Sequence, residues 1–178
     1  MKEVEFRVLA ELMSNSRRSD RELAKIIGVS QPTVTRTRLK LEKEGCIREY
    51  TVIPDFSKMG YSMCAFTFAK FETTEDLAEM RKTITRYAER LSEIPQAVLI
   101  ERGLGPNADG IVVSFHQTYS EFTKFQSWLR QFSPISTYEL NTFIIDLKDE
   151  FHIRYLTFKT LAKHMLSTRS ETKKGDKE

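Results

Sequence analysis

The chain has 178 residues, enough to bury one large core or two small ones, and its 40% hydrophobic and 30% charged residues are typical of a soluble globular protein. No apolar run reaches the roughly 18 residues of a membrane helix, and the N-terminal MKEVEFRVLAELM, with two acids in its first five residues, is unlike a signal peptide. The net charge is +3. Two cysteines make no disulfide framework, so we expect a reducing, cytoplasmic compartment.

Two helices are predicted before residue 28. Apolar residues recur at helical spacing from Val4 to Met13, and the polar stretch SNSRRS interrupts that pattern. A second helix, RELAKII, follows Ser19 or Asp20 as its N-cap. Gly28 ends it, because glycine tolerates the left-handed backbone of a sharp helix exit.

The third predicted helix begins directly after that turn. Ser30 caps it, Pro32 occupies the first turn, where a missing amide hydrogen costs nothing, and Gly45 ends it. Rotation by about 100° per residue places Val34 and Leu41 together on the inward face. The second and third helices, joined by a tight glycine-containing turn, predict a helix-turn-helix.

The outward face of the third helix, with Thr33 and Thr35 at its margins, and the first turns of that helix carry residue types that suit double-stranded DNA. Glutamine can pair with adenine, arginine with guanine, and a threonine methyl with the thymine methyl. The candidate base-reading residues are Gln31, Thr33, Thr35 and Arg36, and the candidate phosphate-binding residues are Arg17, Arg18, Ser30, Lys40 and Lys43. The alternative is a face that is merely solvated.

Beyond an extended connector at residues 46–60, the pattern predicts a βαββαβ order. The predicted strands are YSMCAFTFAKF, AVLIER, GIVVSFH and ISTYELNTFIIDL. The predicted helices carry the apolar residues Leu77, Met80, Ile84, Tyr87 and Leu91, and Phe122, Phe125, Leu129 and Phe132. The fold class is therefore α+β, with a ferredoxin-like arrangement of two helices on one face of an antiparallel sheet.

The other face of that sheet is predicted to be apolar. Its candidate residues are Tyr61, Met63, Phe71, Phe115 and Phe143. Not all of them can face water, so we expect a second copy of the chain to cover some.

The chain divides into regions of different charge. Residues 1–50 hold 11 Lys+Arg against 8 Asp+Glu (+3), residues 51–147 hold 9 against 12 (−3), and residues 148–178 hold 8 against 5 (+3). Both ends would therefore attract a polyanion.

We predict a helix-turn-helix domain at 1–52, a linker at 53–60, a βαββαβ domain at 61–148 and an extension at 149–178. Within that extension the segment 150–167 is amphipathic, and the charged STRSETKKGDKE after it is expected to be disordered.

A resemblance covers residues 4–52 closely. The stretches NSRRSDRELA, GVSQPTVTR and LEKEGCI resemble the N-terminal domain of the Lrp/AsnC, or feast/famine, transcriptional regulators. Residues 60–147 resemble the effector-binding and oligomerisation domain of that family in pattern. The resemblance implies a regulator that binds operator DNA as a dimer or higher oligomer, without a cofactor. The chain departs from the family pattern at Arg38, where an apolar residue is expected, with Leu39 facing outward.

The resemblance also implies a small-molecule site. In the family a glycine-rich loop helps line a pocket between neighbouring chains that takes ligands such as amino acids. Here the loop is GLGPNAD, in which Gly103 and Gly105 would let amides approach a carboxylate and Asp109 would take an ammonium group. The spacing from Gly105 to Asp109 is one residue longer than the usual Gly-x-x-Asp. The alternative is a plain loop with Asp109 bonded to its own backbone.

Two further function classes stay open. Sirohaem decarboxylases share this layout, but the chain's three histidines, His116, His152 and His164, have no metal-ligand spacing with Cys46 or Cys64. We therefore expect no catalytic residues and no metal. The other class is an architectural protein that binds DNA with little sequence preference.

Overall fold

The computed structural model describes residues 1–71, 78, 82, 85, 90, 92–105, 107–131 and 135–175. Its helices are α1 (Glu3–Ser14), α2 (Asp20–Ile27), α3 (Gln31–Lys43), α4 (Tyr119–Leu129) and α5 (Lys159–Gly175), and its strands are β1 (Met63–Phe71), β2 (Ala97–Gly105), β3 (Ala108–His116) and β4 (Ile135–Asp146). The predicted α+β architecture is confirmed. The chain forms two compact units, Met1–Ile53 with Ile153–Glu178, and Pro54–His152. Among the described residues, no helix is long and apolar enough to cross a membrane.

The starts of α2 and α3 follow from local capping. Ser19 caps α2 and exchanges hydrogen bonds with Glu22, a reciprocal capping box. The Ser30 side chain accepts a hydrogen bond from the amide of Thr33 at the start of α3. Gly28 has a φ of +80°, the left-handed conformation predicted for the turn between the two helices.

The first unit has a core shared by α1, α2 and α3. Its buried members are Val8, Leu12, Leu23, Ala24, Ile27, Val34 and Leu41. α3 contributes Val34 and Leu41, as predicted, and no other described residue of that helix is buried. Core packing therefore uses only a narrow stripe of α3.

The helix α5 packs on α1 in this unit. Ala162 is fully buried, and the Arg169 guanidinium lies 4.5 Å from the centre of the Phe6 ring. Arg169 Nε is also 3.5 Å from a carboxylate oxygen of Glu3. The prediction of disorder from Ser167 onward differs from the structure, in which α5 continues to Gly175 and Arg169 contacts α1.

The second unit contains a four-stranded antiparallel sheet in the order β2-β3-β1-β4. α4 covers one face and buries Phe122, Phe125 and Leu129, as predicted. The core on this face consists of Ala69, Ile94, Val112, Phe125, Leu129 and Leu140. The apolar residues predicted for a helix between β1 and β2, and Phe132, lie outside the described residues.

The helix-free face of the sheet is partly covered by the chain's own connector. The Phe56 ring stacks on Phe115 with 4.0 Å between ring centres, and Tyr61 contacts both rings edge-on, which buries Phe115. Met63 was wrongly placed on this face, since its register with His116 puts it on the side of α4. Phe143 is 64% exposed on the helix-free face. The side chain of Phe71 falls outside the described part of the chain.

Candidate nucleic-acid interface

The outward face of α3 is polar at its N-terminal half. Gln31, Thr33 and Arg36 are exposed, whereas Thr35 is half-buried. Thr33 also bonds the Ser30 hydroxyl at 2.8 Å. The first turns of this helix therefore expose the amide of Gln31, the hydroxyl of Thr33 and the guanidinium of Arg36 to solvent.

The phosphate-binding candidates differ in how much their own unit already engages them. Arg17 and Lys43 are exposed, and their side chains have no ion pair within the described residues. Arg18 is paired with Glu11 of α1. This ion pair lowers the free energy that Arg18 would gain from a phosphate, because the phosphate would have to replace Glu11 as its partner.

Lys40 is engaged by an acid of α1. Its ammonium lies 2.6 Å from a carboxylate oxygen of Glu5 and 3.6 Å from Glu44. The hydrogen bond that Lys40 donates to Glu5 raises the pKa of Lys40 and lowers the pKa of Glu5. Lys40 is thus a weaker candidate for a phosphate contact than Lys43.

A polar cluster that the sequence did not predict lies beside these candidates. We call it the clamp cluster; it consists of Asp20, Thr35, Arg38, Glu42 and Tyr50. Asp20 accepts hydrogen bonds from Thr35 at 2.7 Å and from Arg38 at 2.9 and 3.2 Å. Glu42 accepts from Arg38 at 2.8 Å and from Tyr50 at 2.7 Å. The spacing of Arg38 and Glu42 is a sequence signal for a helical ion pair, but nothing local links either residue to Asp20.

The effector candidates lie on a tight hairpin. The prediction of GLGPNAD as a loop is wrong over most of its length, because residues 103–105 end β2 and residues 108–109 begin β3. Gly105 pairs with Ala108 across the turn, where Asn107 has a φ of +54°. The register of β2 with β3 is irregular between Arg102 and Gly105, so the pairing at this end of the hairpin is less regular than in the rest of the two strands.

Asp109 already has a cationic partner on the neighbouring strand. Its carboxylate lies 3.2 Å from the ammonium of Lys70 in β1. A Cβ added at Gly103 would meet nothing within 4 Å, and one added at Gly105 would meet only ordinary contacts with Ala108. The hairpin itself therefore does not require glycine at either position for steric reasons.

The buried titratable groups of the second unit have packing roles. His116 is buried against the Phe125 ring and bonds the Ser114 hydroxyl at 2.9 Å, and burial lowers its pKa. Burial raises the pKa of the Cys64 thiol to about 11. Within the described residues, no three His, Cys, Asp or Glu side chains lie together as a metal site would require.

Comparisons with known proteins agree with this geometry. The family of winged helix-turn-helix DNA-binding domains matches residues 1–48. An uncharacterised HTH-type transcriptional regulator of Pyrococcus abyssi is 34% identical over 122 residues, which cover 64% of this chain and 81% of that protein. The leucine-responsive regulatory protein of Rhizobium meliloti is 33% identical over 73 residues, which cover 41% of this chain and 47% of that protein.

A solved structure extends the similarity to both units. The crystal structure of an AsnC family transcriptional regulator from Agrobacterium tumefaciens aligns with a TM-score of 0.70 and 20% identity, covering 90% of this chain and 99% of that one. The helix-turn-helix and the four-stranded antiparallel sheet thus occur in the same order as in that protein. The chain belongs to the Lrp/AsnC family and is a DNA-binding transcriptional regulator.

Proposed function

We propose that this regulator binds a pseudo-palindromic operator as a homodimer in the cytoplasm, with the two α3 helices in major grooves about 34 Å apart. The observation that carries the proposal is the exposed polar face at the start of α3. Gln31, Thr33 and Arg36 are exposed in the first turns of α3 while Val34 and Leu41 hold that helix in the core, and their side chains are of types that can contact base edges. The proposal includes no catalytic step.

The phosphate contacts come from the positive N-terminal region. Arg17 and Lys43 supply exposed cations, and Ser30 supplies a hydroxyl beside the first turn of α3. Arg18 and Lys40 contribute only if phosphate displaces their carboxylate partners. Each phosphate neutralised releases counterions, so affinity falls steeply as salt rises.

The dimer uses the helix-free face of the sheet. Phe143, Phe68 and Ile145 are exposed there in a single copy, and a second copy with the same face is the self-complementary partner that two-fold symmetry requires.

The segment 150–167 seals a further interface between copies. Support comes from its exposed apolar side chains, Phe151, Ile153, Tyr155, Leu156 and Phe158.

An amino acid modulates the assembly through the hairpin of β2 and β3. The relative from Rhizobium meliloti is named a leucine-responsive regulatory protein. In this chain the ligand carboxylate would approach Gly103 and Gly105, and the ligand ammonium would compete with Lys70 for Asp109. A plain structural hairpin is the alternative.

Selection of bound sites from random and genomic DNA, repeated with a pool of amino acids, tests these proposals together. A consensus with two-fold symmetry supports the regulator, and a change in site or affinity on adding the pool supports the effector. Equal affinity for selected and random DNA would instead indicate an architectural protein, because a regulator is expected to differ by about a thousandfold or more.

Single substitutions on α3 separate base reading from phosphate binding. Arg36→Ala or Gln31→Ala should cost about 1–3 kcal/mol on the selected operator and relax its sequence preference, because each removes a base contact. Lys43→Ala should weaken binding to operator and to random DNA alike, and it should make the salt dependence shallower by the contribution of about one phosphate contact. Titrations on both DNAs at several salt concentrations measure these effects. Equal losses on both DNAs for all three variants would show that α3 reads no bases.

A further inference from the structure

The clamp cluster joins three parts of the first unit. Asp20 is the first residue of α2, whereas Thr35, Arg38 and Glu42 belong to α3 and Tyr50 follows that helix. Asp20 receives three of the cluster's hydrogen bonds, and Arg38 donates to both acids. This network therefore ties the recognition helix to the helix before it through polar bonds.

The cluster lies to one side of the apolar contact of α3. At about 100° per residue, Val34 and Leu41 lie almost on one line along the helix, with Thr35, Arg38 and Glu42 roughly 40–100° to one side of it. A stripe this narrow restrains rotation about the helix axis less firmly than the usual apolar face of about 100° would. Bonds from the flank to Asp20 supply the missing restraint.

The charges of the cluster argue against a primary role in binding phosphate. Arg38 faces two carboxylates, so the three side chains together carry a net negative charge. Only 28% of the Arg38 side chain and 16% of the Asp20 side chain are exposed. The hydrogen bond from Arg38 lowers the pKa of Asp20, which keeps that carboxylate ionised at neutral pH. A phosphate that binds Arg38 would have to compete with both acids.

We propose that Asp20 and Arg38 are positioning residues for base recognition. Their ion pair fixes the rotation of α3 and keeps Arg38 and the Thr35 hydroxyl away from DNA, so that Gln31, Thr33 and Arg36 make the contacts. Sequence discrimination depends on this restraint, since a released arginine would add affinity for any phosphate. The inference rests on the proposed DNA-reading role of α3 and assigns Thr35 to the cluster, not to base readout.

Asp20→Asn tests the proposal with Glu22→Gln as its matched control. Both changes remove one negative charge from the first turn of α2, but the hydrogen bonds of Glu22 go to Ser19 and not to α3. Asp20→Asn should raise affinity for random DNA severalfold and steepen the logarithmic salt dependence by about 0.9, the slope of one extra phosphate contact. The ratio of operator to random affinity should fall about tenfold. Glu22→Gln should leave both the slope and the ratio unchanged.

A second variant identifies the released group. Adding Arg38→Met to Asp20→Asn should remove the extra random affinity and return the salt slope to the wild-type value, while the affinity ratio stays low. Arg38→Met alone should leave the wild-type salt slope unchanged, because Arg38 makes no phosphate contact in the native complex. A salt slope for Arg38→Met that is shallower by the contribution of one phosphate contact would overturn the proposal. An unchanged ratio of operator to random affinity in Asp20→Asn would also overturn it.

A measurement without DNA separates this inference from the proposed function. Amide hydrogen exchange in α3 should accelerate in Asp20→Asn relative to Glu22→Gln, because the helix loses its flank restraint. If wild-type protein does not distinguish operator from random DNA, the proposed function fails whatever the exchange shows. If wild-type protein does discriminate and both variants exchange alike, the positioning role alone is wrong.

Discussion

Leu41→Ala is expected to destabilise the helical unit by about 2–5 kcal/mol, the usual cost of truncating a buried leucine. Leu41 is 1% exposed and is one of the two buried side chains that α3 contributes to the core. The cavity would loosen the contact that holds the recognition helix, so DNA affinity should fall together with stability. Urea unfolding followed by far-UV circular dichroism measures the change in free energy.

Leu39→Ala provides the matched control for that substitution. It is the same chemical change two residues earlier on the same helix, but Leu39 is 53% exposed. Its cost should stay within about 0.5 kcal/mol, as for most surface substitutions. Equal destabilisation by the two variants would mean that α3 does not pack through the face assigned to Val34 and Leu41.

Phe143→Glu is expected to dissociate the dimer and to reduce operator affinity by about 100-fold or more. A glutamate here would bury a charge at the proposed interface, and a monomer loses the gain from engaging two half-sites at once. The substitution should not unfold the protomer, because Phe143 is already mostly exposed in one copy. Sedimentation velocity and operator titration measure the two effects.

The control for Phe143→Glu lies on the opposite side of the sheet. Tyr119 is 65% exposed at the start of α4, so Tyr119→Glu introduces the same charge at an equally exposed aromatic residue. It should leave both oligomeric state and operator affinity unchanged. A Phe143→Glu protein that still sediments as the wild-type oligomer would place the dimer interface elsewhere.

Local chemistry explains why much of the helical unit can be predicted from sequence. Ser19 with Glu22, and Ser30 with the amide of Thr33, are partners three residues apart, so each cap is specified within one turn of helix. The left-handed Gly28 follows from the same reasoning. Periodicity likewise predicted the apolar face of α4 and the four strands, because it reports which side of an element is buried.

Partners on different elements are not specified locally. The bond from Arg38 to Asp20 spans 18 residues and the bond from Lys40 to Glu5 spans 35. Phe115 belongs to the apolar set of which some members were predicted to be covered by a second copy, and Phe56 of the chain's own connector covers it instead. The hairpin at Gly105 also differs from the predicted loop, since its strand pairing depends on register with β3.

The sequence alone determined the helix-turn-helix, the inward Val34 and Leu41, the α+β order and the resemblance to the Lrp/AsnC family. These follow from caps, turns and repeats that neighbouring residues encode. Only the tertiary structure decided which polar side chains of α3 are already bonded and that α5 packs on α1. Such contacts depend on where packed helices bring distant residues together, which no local pattern encodes.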